Sequence, residues 1–175
     1  KIGMLAPSED EAYQLYNKYA LSMGFSVRKG KKRYFEHTRE VRQQTLLCSC
    51  EGFCDDDYFS YKERKIERLL TRTGCNARVI FNVENGVYKI VKFVEEHNHS
   101  LVKPEQRHLL RSGRKITDTS AGIISSMSKA GIRTNKAYLY LSKEAGGVEN
   151  VGFTARDAYN FVQSQRLKSI EAGDG

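Results

Sequence analysis

Two cysteines and two histidines in this sequence have the residue types and the spacing of a metal site. Cys48 is separated from Cys75 by 26 residues, Cys75 from His97 by 21 residues, and His97 from His99 by one residue. Thiolate sulfur and imidazole nitrogen are ligands that Zn²⁺ prefers, and four of them complete a tetrahedral shell. Four protein ligands leave no position for water, so the pattern predicts a structural Zn²⁺ ion and not a catalytic one.

Two further cysteines leave the choice of the first ligand open. Cys50 lies two residues after Cys48 and could share its face of a strand, whereas Cys54 lies in a loop that could fold back. A site made only of cysteines would leave the His-x-His pair unexplained, so that alternative ranks lower. No secretory signal is visible, so a disulfide framework is not indicated. His37 and His108 are interpreted as solvated or packed polar residues.

A β-hairpin must position the later ligands. Alternating apolar residues over 77–83, the turn pair Asn85-Gly86 and a second strand pattern over 87–94 predict this hairpin. In an antiparallel hairpin the start of the first arm lies beside the end of the second. The hairpin therefore brings Cys75 to the His-x-His pair, while Cys48 comes from another strand.

Shorter patterns predict the rest of the N-terminal part. Strands are predicted at 25–28, 33–35 and 45–48. Gly30 is expected to turn the chain between the first two. A helix precedes these strands: Ser8 and Glu11 form a capping box at its start, and Gly24 ends it.

The sequence after the hairpin predicts helices. Three are expected, over 117–131, 134–146 and 154–170. Thr117 or Asp118 caps the first, Thr134 caps the second, and Thr154 with Asp157 forms a capping box for the third. The predicted organisation is a zinc-bound domain at 1–103, a linker at 104–116 and a helical segment at 117–175.

The charge of the chain favours a polyanionic partner. The formal net charge is +8 and the isoelectric point is about 9.3. Residues 25–45 contain seven Lys or Arg against two Glu, and residues 60–80 contain six against two. Such basic runs are typical of nucleic-acid surfaces, although charge alone is weak support. No apolar run approaches the length of about 20 residues that crosses a membrane, so no membrane partner is expected.

The stretches around these residues resemble the DNA-binding domain of the far-red-impaired-response family, plant transcription factors derived from Mutator-like transposases. The stretches are GFSVRKGKKRY, LLCSCEGF, RTGCNARVIF and EEHNHSLV, continued by LLRSGRKITD and SKEAGGVENVGFTARDAYNFV. The resemblance covers nearly the whole chain. It implies an α+β fold similar to the WRKY and glial-cells-missing zinc fingers: a small antiparallel zinc-bound β-sheet with an N-terminal helix, followed by a helical segment that leads to a transposase-derived domain.

The resemblance also implies roles for individual residues. The family's first Cys falls on Cys48, its Gly-Cys pair on Gly74-Cys75 and its His-Asn-His on His97 and His99, whereas Cys50 stands where the family more often has a basic residue. It further implies sequence-specific binding of double-stranded DNA in the nucleus, a role in transcription regulation, and homo- or hetero-oligomers with family members.

In relatives of this fold one strand enters the major groove edge-on, and the matching strand here lies around 25–34. Base-edge or groove contacts are expected from Arg28, Lys29, Lys31 and Lys32. Phosphate contacts are expected from Arg33, Lys62, Arg64, Lys65 and Arg72. Arginine is the usual bidentate partner of guanine, and lysine serves either bases or phosphates.

Three other functional classes compete with this prediction. The chain could be a zinc-braced protein-interaction or dimerisation module without direct base readout. Helices 117–131 and 134–146 could form a helix-turn-helix, although they contain few basic residues. An enzyme is the least supported class, because the sequence contains no Gly-rich phosphate loop, HExxH motif or nucleophile elbow.

Overall fold

The computed structural model describes residues 1–53 and 71–171. The chain divides into two compact units, Lys1–Val102 and Lys103–Gly175. The first unit contains, in chain order, β1 (Leu5–Ala6), α1 (Glu9–Met23), β2 (Val27–Tyr34), β3 (Val41–Cys48), β4 (Arg78–Glu84) and β5 (Val87–Val94). The strands form one antiparallel sheet in the order β1-β5-β4-β3-β2, so β2 lies at an edge. The predicted α+β class is confirmed.

Helix α1 begins and ends where its sequence predicts. The side chain of Ser8 accepts a hydrogen bond from the backbone N–H of Glu11, and Gly24 ends the helix with a left-handed φ of 104°. Its apolar face buries Ala12, Tyr16 and Ala20 against the sheet. These contacts hold α1 on one side of the sheet, and the opposite side is called here the outer face.

The hairpin of β4 and β5 is also confirmed. Asn85 and Gly86 have φ values of 51° and 77°, as a two-residue type I′ turn requires. Val79, Phe81 and Val83 alternate into the core, with exposures of 0%, 0% and 6%. The hairpin thereby fixes which β4 residues face α1 and which lie on the outer face.

The turn predicted at Gly30 is wrong. Strand β2 continues through Gly30 to Tyr34, and the chain reverses over residues 35–40 instead. His37 supplies the positive φ of that turn, at 61°. The sequence contains a glycine within the strand and an L-residue in the turn, which is the reverse of the usual preference.

Gly30 has a packing role within β2. The register with β3 shifts between Lys29 and Lys32, which indicates a β-bulge. A Cβ atom at Gly30 would lie 2.8 Å from Cδ1 of Leu47 and 3.0 Å from the carbonyl oxygen of Thr45. Because any side chain would crowd β3 here, glycine is required for this close approach.

The second unit is helical. Two short 3₁₀ helices, Pro104–Leu109 and Arg111–Gly113, precede α2 (Asp118–Lys129), α3 (Thr134–Glu144) and α4 (Ala155–Glu171). Its core consists of Ile124, Ala137, Leu141, Phe153, Ala158 and Val162. No helix among residues 1–53 and 71–171 is long and apolar enough to span a membrane.

The caps of these helices follow the sequence closely. The Thr154 N–H donates to Oδ2 of Asp157 at 2.8 Å, and the Asp157 N–H donates to Oγ1 of Thr154 at 3.3 Å, which completes the predicted capping box. Burial opposes ionisation of Asp157, but the hydrogen bonds from Thr154 and the nearby Arg114 guanidinium lower the pKa of its carboxyl. The cap predicted at Thr134 is off by one residue: Thr134 is already helical, and Arg133 precedes it without a side-chain cap.

Candidate metal centre and nucleic-acid interface

The structure brings Cys48, Cys75, His97 and His99 together; these four residues are called here the Cys/His cluster. One ligand atom from each lies within 4.8 Å of all the others. Cys48 ends β3, Cys75 precedes β4, and the two histidines follow β5. Both cysteines are fully buried, at 0% exposure. The histidines lie beyond the end of β5, in a segment that bends at 98–99, so strand alternation does not aim them at the cysteines.

The distances within the cluster suit a tetrahedral ion. Sγ of Cys48 lies 3.3 Å from Nε2 of His99, and Sγ of Cys75 lies 3.4 Å from Nδ1 of His97. The two imidazole nitrogens are 3.2 Å apart. With Zn–S bonds of about 2.3 Å and Zn–N bonds of about 2.0–2.1 Å, tetrahedral angles place S and N about 3.6 Å apart and two N atoms about 3.4 Å apart. The four residues therefore fit Zn²⁺ with only small adjustments.

Backbone hydrogen bonds hold the two cysteine segments together. The carbonyl of Cys50 accepts N–H groups from Thr73 and Cys75, at 2.9 and 3.2 Å. The Cys50 N–H points at Sγ of Cys48, at 3.5 Å. The first two contacts join the segment of Cys75 to that of Cys48, and the third orients the Cys48 thiol within its own segment. Cys50 thus acts through its backbone, and its side chain is not in the Cys/His cluster.

Gly74 is favoured immediately before Cys75. Its φ is 70°, in the left-handed region, and a Cβ atom there would meet only the exposed ring of Phe53. Its N–H also donates to the carbonyl of Gly52 at 2.9 Å. Because L side chains rarely adopt this backbone conformation, glycine is strongly favoured before Cys75, which gives the Gly-Cys pair a direct structural reason.

The two histidines have different supports. The Nδ1–H of His99 donates to the carbonyl of Ser100 at 3.0 Å, which leaves Nε2 free to face the cluster. The ring of His97 lies 4.4 Å from that of Phe25. The side-chain amide of Asn98, the residue between the two histidines, donates to the carbonyl of Thr73 at 2.7 Å. The His-x-His segment is therefore anchored to the segment that precedes Cys75.

The protonation states of these groups bear on how they could hold an ion. Burial raises the pKa of the Cys48 thiol to about 12, and the neighbouring Cys75 contributes. Burial and the neighbouring His99 lower the pKa of His97. The neutral imidazole could coordinate a metal directly, whereas the thiol would release its proton on coordination. Among the described residues, His37 and His108 are not in the cluster, and Cys54 lies outside the described residues.

The bulge in β2 separates its basic residues onto two sides of the sheet. Alternation along β3 puts the partners of Lys29 and Lys32 on the side packed against α1, and those of Arg28 and Arg33 on the outer face. From the sequence, these basic residues were expected to contact DNA from one surface, because the residue pattern does not reveal the bulge.

One carboxylate engages both lysines on the α1 side. Lys29 and Lys32 donate to the two oxygens of Glu9 at 3.1 and 2.7 Å. The Lys32 hydrogen bond is the largest cause that lowers the pKa of the Glu9 carboxyl. These lysines would have to release Glu9, or share it, before contacting a phosphate.

A shallow groove on the outer face gathers the other cations. Its lining includes Arg28, Lys31, Arg33 and Arg78; Lys29 also borders it. Arg28 forms an ion pair with Glu51, whereas Lys31 and Arg33 have no ion pair within residues 1–53 and 71–171. Sequence reasoning missed Arg78, although its position between two inward residues of an alternating strand was a usable signal.

The remaining predicted contacts fall elsewhere. Arg72 is exposed, and its guanidinium lies 3.5 Å from the carbonyl oxygen of Phe53. Lys62, Arg64 and Lys65 lie outside the described residues.

Comparisons with known proteins identify relatives. Residues 14–103 match the FAR1 DNA-binding domain. The chain is 36% identical to Protein FAR1-RELATED SEQUENCE 5 of Arabidopsis thaliana over 172 residues, which covers 97% of the chain and 22% of that protein. It is 30% identical to Putative protein FAR1-RELATED SEQUENCE 10 of the same plant over 178 residues, which covers 99% and 26%.

A third relative is Protein FAR-RED IMPAIRED RESPONSE 1 of Arabidopsis thaliana, 27% identical over 169 residues, which covers 95% of the chain and 20% of that protein. The chain therefore spans between a fifth and about a quarter of the length of these curated relatives. No solved structure matches it.

Proposed function

Because the chain belongs to the FAR1 family of plant proteins, we propose that residues 1–103 form a zinc-stabilised domain for sequence-specific binding of double-stranded DNA. The domain would act in transcription regulation in the nucleus. Residues 104–116 would serve as a linker and 117–175 as a helical segment. Oligomerisation with family members stays a prediction.

One juxtaposition supports the proposal most strongly. Cys48 pairs across the sheet with Val27, the residue before Arg28. The N–H of Ser49 also donates to the carbonyl of Ser26 at 2.8 Å. The Cys/His cluster thus lies beside the start of the basic edge strand, so its ligands would hold that strand in place for DNA.

Each member of the cluster has a defined part in this proposal. Zn²⁺ would supply a charged cross-link between chain segments that are distant in sequence, with no open position for water. Cys48 and Cys75 would hold it from the interior. His97 and His99 would close it from the end of the hairpin.

The outer face then carries the recognition. We propose Lys31, and Arg28 once it releases Glu51, as base-edge contacts, and Arg33 and Arg78 as phosphate contacts. Arg72, which lies elsewhere, is also proposed as a phosphate contact. Lys62, Arg64 and Lys65 remain proposed phosphate contacts from the sequence. Lys29 and Lys32 remain candidates for groove contacts, with a smaller contribution because Glu9 already binds them.

The salt dependence of binding tests this proposal. If the sheet domain neutralises about five phosphates, log K should fall with log salt with a slope of roughly −4 to −5 or steeper. In-vitro selection from random duplexes should also return a preferred sequence. A flat salt response without any preferred sequence would contradict the proposal and would favour a zinc-braced protein-interaction module.

A further inference from the structure

The second unit contains a groove outside residues 14–103, the part that matches the DNA-binding domain. It consists of two adjoining depressions of about 340 and 410 Å³ that share Ser128, Val162 and Arg166. Its walls come from the end of α2, the start of α3 and one side of α4. It is called here the α2–α4 groove.

Three cations line this groove: Lys129, Arg133 and Arg166. All three are exposed. Within residues 1–53 and 71–171 none of them forms an ion pair. No Asp or Glu is among the lining residues of either depression. The groove therefore has an uncompensated positive charge, which an anionic ligand would neutralise.

The other lining groups suit phosphate oxygens. Hydroxyls and amides that can donate hydrogen bonds come from Ser125, Ser128, Thr134, Gln163 and Gln165. Phosphate contacts in DNA complexes use this mixture of Arg, Lys, Ser, Thr and Gln side chains. Residues 103–171 as a whole contain 12 Lys or Arg against 6 Asp or Glu, so the field around the groove is also positive.

We propose that the α2–α4 groove binds the phosphodiester backbone of duplex DNA without sequence preference, as a second contact on the same chain. The groove site is independent of the sheet, and only the choice of DNA as the polymer rests on the proposed function. Arg133 and Arg166 suit bidentate contact with phosphate, and Lys129 supplies a point charge. Three cations correspond to two or three phosphates, which would add roughly 2–3 to the magnitude of the salt slope.

The test uses the whole chain with Lys129, Arg133 and Arg166 replaced by glutamine. The matched control replaces Lys136, Lys143 and Lys168, which are exposed cations of the same unit that do not line the groove. Binding to a random-sequence duplex is measured between 50 and 300 mM salt, and unfolding temperatures verify that both variants fold. The groove variant should bind about 10- to 100-fold more weakly with a shallower slope, whereas the control should change by less than about threefold.

A third variant, Arg33→Ala with Arg78→Ala, separates this inference from the proposed function. If the groove variant and its control lose affinity by the same factor, while the sheet variant binds much more weakly than the unaltered chain, the groove inference is overturned and the proposed function stands. If only the groove variant loses affinity, the groove inference stands and the sheet proposal fails. If the unaltered chain does not bind duplex DNA, both are overturned. A groove variant that does not fold is replaced by the single substitution Arg166→Gln, for which about one unit of slope should be lost.

Discussion

Replacing Cys75 by serine is expected to abolish zinc binding and unfold the sheet of the N-terminal unit. The thiol of Cys75 is fully buried and lies 3.4 Å from Nδ1 of His97. Structural zinc contributes about 10–16 kcal/mol in small finger peptides, whereas whole domains are typically stable by about 5–15 kcal/mol. If the lost ligand releases the ion, the free energy removed is as large as the whole stability of a small domain, so the sheet should unfold. Loss of near-UV circular dichroism and of dispersed amide resonances would report the change.

Cys50 provides the matched control for this substitution. Its side chain lies outside the Cys/His cluster, and its structural contacts with Cys48, Thr73 and Cys75 are made by its backbone. Cys50→Ser should therefore retain one zinc ion and a folded sheet. If Cys50→Ser unfolds the unit while Cys75→Ser leaves it folded, the assignment of ligands is wrong.

The second large effect concerns sequence preference. The double substitution of Arg28 and Lys31 by alanine should bring the affinities for the selected and a scrambled duplex together. Each well-formed contact to a base edge discriminates by about 1–3 kcal/mol, so two lost contacts correspond to roughly 30- to 20,000-fold in preference. Competition binding with both duplexes measures this ratio directly.

Two further double variants make the result specific. Arg33→Ala with Arg78→Ala should weaken binding to both duplexes alike and reduce the salt slope by about two. Lys29→Ala with Lys32→Ala also removes two positive charges, but from the α1 side, where both lysines pair with Glu9. Smaller losses of affinity and of sequence preference are therefore expected. If this last variant loses the most preference, DNA contacts the other side of β2 and our assignment of the outer face is incorrect.

Much of the fold follows from local patterns. The Ser8 cap, the Gly24 stop, the Asn85-Gly86 turn and the Thr154–Asp157 box each depend on residues within a few positions of one another. Composition and spacing likewise identify Cys75, His97 and His99, because a hairpin necessarily joins its two ends, whereas the residues alone left the first ligand open among Cys48, Cys50 and Cys54. These features were predictable because their physical causes are short in range.

The remaining features depend on contacts between distant segments. Strand β1 is only two residues long and is defined by its pairing with β5, so it is too short for an alternating pattern to predict it. The close approach of β2 to β3 at Gly30 brings it against Leu47, seventeen positions later. The pairing of Lys29 and Lys32 with Glu9 requires α1 to lie across the sheet. The sequence therefore predicted the basic strand, but it did not predict which of the strand's cations form ion pairs with carboxylates.

The most direct test of the account is the zinc content of the purified chain, measured together with DNA binding before and after chelation. Elemental analysis should give one zinc ion per chain. Removal of that ion by a strong chelator should abolish binding to the selected duplex, and stoichiometric Zn²⁺ should restore it. A metal-free chain that remains folded and binds the same duplex with unchanged affinity in chelator would contradict the account.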